Sequence, residues 1–137
     1  MFGLENMTFE AVSTLDNYQV QPGTLIVAPR RAGKTTFLAK MHPKHHMIVP
    51  YSSWKRISAV PTDAWLPQDC PGRGGDVCID EVSRVWANSS LFTPIAWNDV
   101  YCATTGTLDF DELQSGIACE FPMYLWIKHV VVVLPNG

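Results

Sequence analysis

The sequence predicts an α/β fold: a three-layer sandwich around a mainly parallel five-stranded sheet, spanning residues 1–137 as a single domain. Two observations carry the prediction. Short apolar runs, such as Leu25-Ile26-Val27 and Val77-Cys78-Ile79, read as buried strands and alternate with helix-compatible segments. That alternation argues for a parallel sheet covered by helices. The composition agrees, since 47% hydrophobic and 17% charged residues suit a chain of 137 with a real core.

The elements follow in order. Thr8 to Asp16 places Phe9, Val12 and Leu15 at helical spacing, which predicts a short amphipathic helix. Tyr18-Gln19-Val20-Gln21 alternates like a short strand and stops at Pro22-Gly23. Thr24 to about Met41 reads as strand, loop and helix. His45 to Tyr51 is a further strand with Met47-Ile48-Val49 at its centre. Residues 52–75 are rich in Ser, Pro, Gly and Trp and read as irregular, with one short helix near Trp54 to Ile57. Asp76 to Ile79 is a strand, followed by a helix from Glu81 to about Ala87. Val100 to Gly106 is a strand, Asp109 to Gln114 a short helix, and Tyr124 to Leu134 the last strand.

The loop after the first buried strand carries the chemistry: Ala28-Pro29-Arg30-Arg31-Ala32-Gly33-Lys34-Thr35, then Thr36. It resembles the phosphate-binding P-loop, G-x-x-x-x-G-K-[ST] between a strand and a helix. The first glycine is replaced by Ala28, the smallest substitute, which is tolerated where φ is negative. Backbone N–H groups of such a loop meet phosphate oxygens at the positive end of a helix. Gly33 permits close approach and unusual dihedrals. Lys34 supplies a point charge to the outer phosphates, and the Thr35 hydroxyl is a ligand for Mg²⁺.

A second segment has the matching chemistry. Asp76-Val77-Cys78-Ile79-Asp80-Glu81 resembles a Walker B strand, with Asp80 for the Mg²⁺ shell and Glu81 to polarise a water. The alternative is an ordinary strand running into an acidic helix start. Val100-Tyr101-Cys102-Ala103-Thr104-Thr105-Gly106 resembles a sensor strand, with Thr104 or Thr105 feeling the γ-phosphate; hydroxyls at strand ends are also common turn residues. Together these features resemble the additional-strand, catalytic-glutamate division of P-loop ATPases, with a near-minimal, RecA-like core. Pro29-Arg30-Arg31-Ala32-Gly33-Lys34-Thr35-Thr36 also resembles the arginine-bearing loops of viral terminase packaging motors, as Asp80-Glu81 and Ala103-Thr104-Thr105-Gly106 resemble that family's catalytic and coupling segments, and the Val100 to Gly106 strand resembles that of helicase-type ATPases. That resemblance implies Arg30 or Arg31 as a finger on the transition-state phosphates; a solvent-facing arginine is the alternative. Terminases carry a longer ATPase domain and a nuclease domain, which this chain does not match.

The implied activity is binding and hydrolysis of a nucleoside triphosphate, ATP with Mg²⁺, in a nucleic-acid-related motor or packaging process. A nucleotide or nucleoside kinase is an alternative, against which stands the scarcity of basic residues after Arg73, namely Arg84 and Lys128. A non-hydrolysing nucleotide-binding module is another, permitted by Ala28 and opposed by Lys34, Thr35, Asp80 and Glu81.

Net charge is −3, but no acid lies between Asp16 and Asp63, and Arg30, Arg31, Lys34, Lys40, Lys44, Lys55 and Arg56 are seven of the ten basic residues. This basic third reads either as phosphate matching plus solvated surface, or as nucleic-acid contact through Lys40, Lys44, Lys55 or Arg56. A homo-oligomer or protein partner is expected, with Arg56, Arg73 or Arg84 as fingers in trans. No segment is apolar enough to span a bilayer and no leader is evident. Cys78 and Cys102 within strands suggest reduced thiols and a cytoplasmic location, in a host cell if the chain is viral. His42, His45 and His46 lack the partners of a zinc site. Trp54, Trp65 and Trp86 are expected to pack a core, with an interface role as the alternative. Tyr18 is either a strand aromatic or an adenine-stacking ring.

Overall fold

The computed structural model describes residues 8–29, 32–41, 45–66, 76–81, 100–105 and 128–134. They form six strands, β1 (Thr8–Val12), β2 (Thr24–Ala28), β3 (His46–Ile48), β4 (Val77–Ile79), β5 (Val100–Thr105) and β6 (His129–Val133), and one α-helix, α1 (Lys34–Ala39). A 3-10 turn covers Ser52–Arg56. The strands make one sheet in the order β1-β6-β2-β5-β4-β3, and every pairing is parallel.

The parallel arrangement follows from the apolar runs. All five residues of β2 are buried, as are Val77, Cys78 and Ile79 of β4. A strand with no polar face suits the interior of a parallel sheet, which is covered on both sides. Burying each of Leu25, Ile26 and Val27 contributes about 1.5–3 kcal/mol relative to exposure. Thus β2 is a rigid base for the loop that follows it. Helix α1 packs over β4 and β5, with Leu38 fully buried beneath it.

The sheet has one strand more than the five expected. Thr8 to Asp16, expected as a helix, instead supplies β1, paired with β6 in the register Thr8↔His129 to Val12↔Val133. The spacing of Phe9, Val12 and Leu15 suits a helix, but Thr8, Phe9 and Val12 are also good strand residues. The neighbouring edge of β6, Val130 to Val133, is buried and offers backbone partners along its length. That tertiary edge overrides the local period, and Leu15 still reaches the core beyond the strand's end.

Residues 18–21 form no strand; the Tyr18 N–H closes a turn on the Leu15 carbonyl at 3.0 Å. The strand expected from His45 to Tyr51 is confined to His46–Ile48, and Trp65 bridges to Ile48 on the side away from β4. The Trp65 N–H donates to Met47 O at 2.8 Å, and the Val49 N–H to Trp65 O at 2.9 Å. The sheet's outer edge is thereby satisfied by a returning loop, one way to blunt an exposed edge. Glu81, expected to open a helix, has φ 48°, outside the helical region. The rest of that expected helix, to Ala87, and the one from Asp109 to Gln114 lie outside the described residues, as do Gly106 and the first part of the last strand, from Tyr124. Among the described residues no helix is long and apolar enough to cross a membrane.

Candidate functional site

The site lies where β2 and β4 end. The two strands run parallel with β5 between them, so their C-terminal ends point the same way. Open α/β sheets present their ligand crevice at that end.

From β2 the chain leaves through Ala28 and Pro29. Ala28 is fully buried and is not among the residues with positive φ. The backbone there makes no demand that only glycine meets. The Ala32 N–H donates back to Pro29 O at 3.3 Å, closing the loop on itself. Gly33 then takes φ 85° and ψ 14° at the N-cap of α1. A Cβ at this position would meet no atom within 4 Å, so glycine is required here for its dihedrals and not for lack of space. The reversal at Gly33 starts α1 with Lys34 and Thr35 in its first turn.

Lys34 is 7% exposed and its Nζ lies 3.4 Å from Glu81 Oε1. Glu81 is equally buried, and its left-handed backbone is disfavoured for a residue with a Cβ by about 1–2 kcal/mol. Such outliers concentrate at functional sites.

Asp80, with no exposed surface, is the hub of the cluster. Its Oδ2 accepts the Thr35 hydroxyl proton at 2.5 Å and the Trp54 indole N–H at 2.9 Å. Its Oδ1 accepts the Glu81 N–H at 3.1 Å. Burial pushes the Asp80 carboxyl above its usual range; the Thr35 and Trp54 hydrogen bonds pull it back, the Glu81 charge raises it and the Lys34 charge lowers it. Thr35 and Asp80 together present hard oxygen donors at one point, a set that suits a small divalent cation also held by phosphate and water.

Four of the expected residues, Lys34, Thr35, Asp80 and Glu81, thus converge from two segments. Thr104 and Thr105 lie beside β2, opposite Val27 and Ala28 in the β2–β5 register. Thr104 is half-buried at the strand tip. Thr36 is exposed on α1. Arg30 and Arg31 lie outside the described residues, as do Lys44, Arg73, Arg84 and Trp86. Lys40, Lys55 and Arg56 are exposed, the last two on the 3-10 turn that carries Trp54.

Trp54 is the residue that sequence reasoning did not place in the site. Nothing in its spacing marks it. The usable signal is chemical: an indole N–H taken into a core needs an acceptor, and no acid lies nearby in sequence between Asp16 and Asp63. The Lys34–Glu81 contact was also unforeseen, since the motifs assign those residues to phosphate and water separately.

The other residues singled out have structural partners. Tyr18 donates its hydroxyl to Glu10 Oε2 at 3.3 Å and lies 6.5 Å, centroid to centroid, from Phe37. Burial raises its hydroxyl pKa, helped by the Glu10 charge. His46 stacks on Trp65 at 4.2 Å, and His45 meets Tyr101 edge-on at 5.0 Å. No group of three metal-ligating side chains occurs among the described residues. Cys78 and Cys102 are free and buried, and burial pushes both thiols up to about 12. No family model, no curated protein and no solved structure matches this chain.

Proposed function

We propose that this chain is a P-loop ATPase of the additional-strand, catalytic-glutamate type, binding and hydrolysing a nucleoside triphosphate, ATP, with Mg²⁺. One observation carries the reading. Lys34 and Thr35, from the glycine-containing loop, meet Asp80 and Glu81 from a strand that is not adjacent to β2 but separated from it by β5. A cation-bearing loop, a hydroxyl on a buried carboxylate and a second acid beside the lysine are the parts that phosphoryl transfer to water requires.

In this reading Lys34 holds the outer phosphates, with the backbone of Ala28, Pro29, Ala32 and Gly33 around them and Thr36 just beyond. Thr35 and Asp80 would hold the Mg²⁺, which neutralises phosphate charge when bound. Glu81 accepts a hydrogen bond from the attacking water and orients it. A triphosphate arriving at Lys34 competes with Glu81 for the ammonium, so binding also frees the acid for that water. Thr104 or Thr105, on the strand between the two segments, senses the γ-phosphate. Arg30 and Arg31 are the cations available for charge developing in the transition state.

The work driven by hydrolysis is proposed to be movement or packaging of nucleic acid by an oligomer. The exposed Lys40, Lys55 and Arg56 support it. The test is ATP turnover with Mg²⁺, alone and with single- or double-stranded DNA or RNA. Stimulation by one of them is expected. Turnover that is flat across all four polymers removes the nucleic-acid motor, and no turnover under any condition removes the hydrolase.

A further inference from the structure

The 3-10 turn Ser52–Arg56 is far in sequence from both motifs, yet it places a ring N–H on their shared carboxylate. Asp80 Oδ2 receives two donors, Thr35 at 2.5 Å and Trp54 at 2.9 Å, while Oδ1 receives the Glu81 N–H at 3.1 Å. A carboxylate that accepts from three directions cannot swing about its Cβ–Cγ bond. Thr35 gives its only proton to this fixed oxygen, so its lone pairs are left for a cation. Trp54 is itself anchored: it packs against the hydrophobic core and its ring lies 5.7 Å from that of Tyr51. The turn is closed by the Trp54 N–H on Tyr51 O and the Ile57 N–H on Trp54 O, both at 3.0 Å.

We infer that Trp54 is a positioning residue for divalent-cation binding, acting through Asp80 to fix the direction in which Thr35 offers its oxygen. The inference rests on the ATPase reading and adds to it a residue outside both motifs. An N–H donated to a carboxylate is a stronger bond than one between neutral groups. Its loss frees Asp80 to rotate, and the Thr35 oxygen with it. Lys34 reaches phosphate through its own ammonium, which is paired with Glu81 Oε1 and takes no part in the Trp54–Asp80–Thr35 hydrogen bonds. Trp54 therefore separates cation affinity from nucleotide affinity.

The test uses Trp54→Phe, which keeps an aromatic ring against Tyr51 and removes only the donor. Both it and its parent carry Glu81→Gln so that ATP is not consumed. ATP binding is measured by calorimetry in EDTA and across a Mg²⁺ titration. Expected are an affinity in EDTA within about twofold of the parent and a Mg²⁺ midpoint raised about tenfold, the effect of losing one hydrogen bond to a charged group. An unchanged or lowered Mg²⁺ midpoint overturns the inference, as does an equal loss of affinity with and without Mg²⁺, the signature of a merely structural role. If Trp54→Phe does not fold, the Trp54 indole N–H resonance of the parent, assigned through its contacts with Tyr51, carries the test. It should shift between ATP in EDTA and ATP with Mg²⁺, and a static signal overturns the inference. Lys34→Ala separates the two levels. If it loses ATP while Trp54→Phe behaves as the parent, only the inference fails; if the parent binds no ATP, both fail.

Discussion

Two acid–base contacts sit on opposite sides of β2. Lys34 and Glu81 are 3.4 Å apart with side chains 8% and 9% exposed. His129 and Glu10, on the β6–β1 edge, are 2.9 Å apart with side chains 25% and 43% exposed. The shorter contact is the less consequential one. An exposed pair exchanges one solvated state for another, contributing about 0–1 kcal/mol. A buried pair has lost its water, so removing either member takes an opposite charge away from the other where little solvent replaces it. The edge cluster has the form of a structural clasp, with Thr8 and Tyr18 completing it through His129 and Glu10. The Lys34 cluster, with Asp80 at its centre, holds charged groups out of water, at a desolvation cost that apolar side chains would not carry. Polar groups kept at such a cost mark a site.

The largest expected effect breaks the buried side of this comparison. Lys34→Ala should lower triphosphate affinity at least about a hundredfold, the order expected when a charge-assisted contact to phosphate is lost. It should also cost about 2 kcal/mol in urea denaturation, because Glu81 is left buried. Undiminished ATP binding by this variant would remove the phosphate-binding role of the loop. Next, Glu81→Gln should keep ATP affinity at or above that of the parent, since the competitor for Lys34 is gone, while turnover falls by about a hundredfold or more, as for loss of a base acting on water. Single-turnover kinetics separates the two quantities, and retained turnover would assign the water to another residue.

A third expectation concerns pH. The folded-state pKa of Asp80 is raised, with burial as the main cause. Between the ordinary Asp value, about 3.9, and the raised value, the folded state binds more protons than the unfolded one. Stability from this residue is therefore full below the ordinary value and falls as pH rises through the folded value. Relative to Asp80→Asn, the parent should lose stability as pH increases across that window. A difference that is flat or grows with pH would show that hydrogen bonds from Thr35 and Trp54 outweigh burial. The smallest effect belongs to the edge. Glu10→Gln should change stability by under about 0.5 kcal/mol, less in 1 M salt, and leave ATP turnover unchanged.

Much of this site was legible because its parts are local patterns. A glycine between an apolar run and a helix, followed by Lys34-Thr35, needs a left-handed turn, and Gly33 supplies it. Asp80-Glu81 closing Val77-Cys78-Ile79 needs only the end of a buried strand. The strands themselves were legible as apolar runs, because a parallel sheet buries both faces. What local pattern does not encode is which distant backbone completes an edge. Thr8 to Val12 carries spacing compatible with a helix and becomes a strand because β6 is there. Trp54 was illegible for the same reason. Its partner, Asp80, ends the neighbouring strand β4, and only the pairing of β3 with β4 brings the turn after β3 to it.

The strand order also bears on how the chain is made. β2 is complete by residue 28, but its two neighbours, β5 and β6, come from residues 100–105 and 129–133. β1 waits for β6 in the same way. Synthesis proceeds from the N-terminus, at about 5–20 residues per second. The loop bearing Lys34 therefore leaves the ribosome several seconds before the strands that flank β2. Until β6 has emerged, an apolar segment stands without its sheet, and closing it requires contacts distant in sequence, which form slowly. A newly made chain is in this way without its finished sheet, and so without the base on which Lys34, Asp80 and Glu81 meet, until residue 133 has left the ribosome.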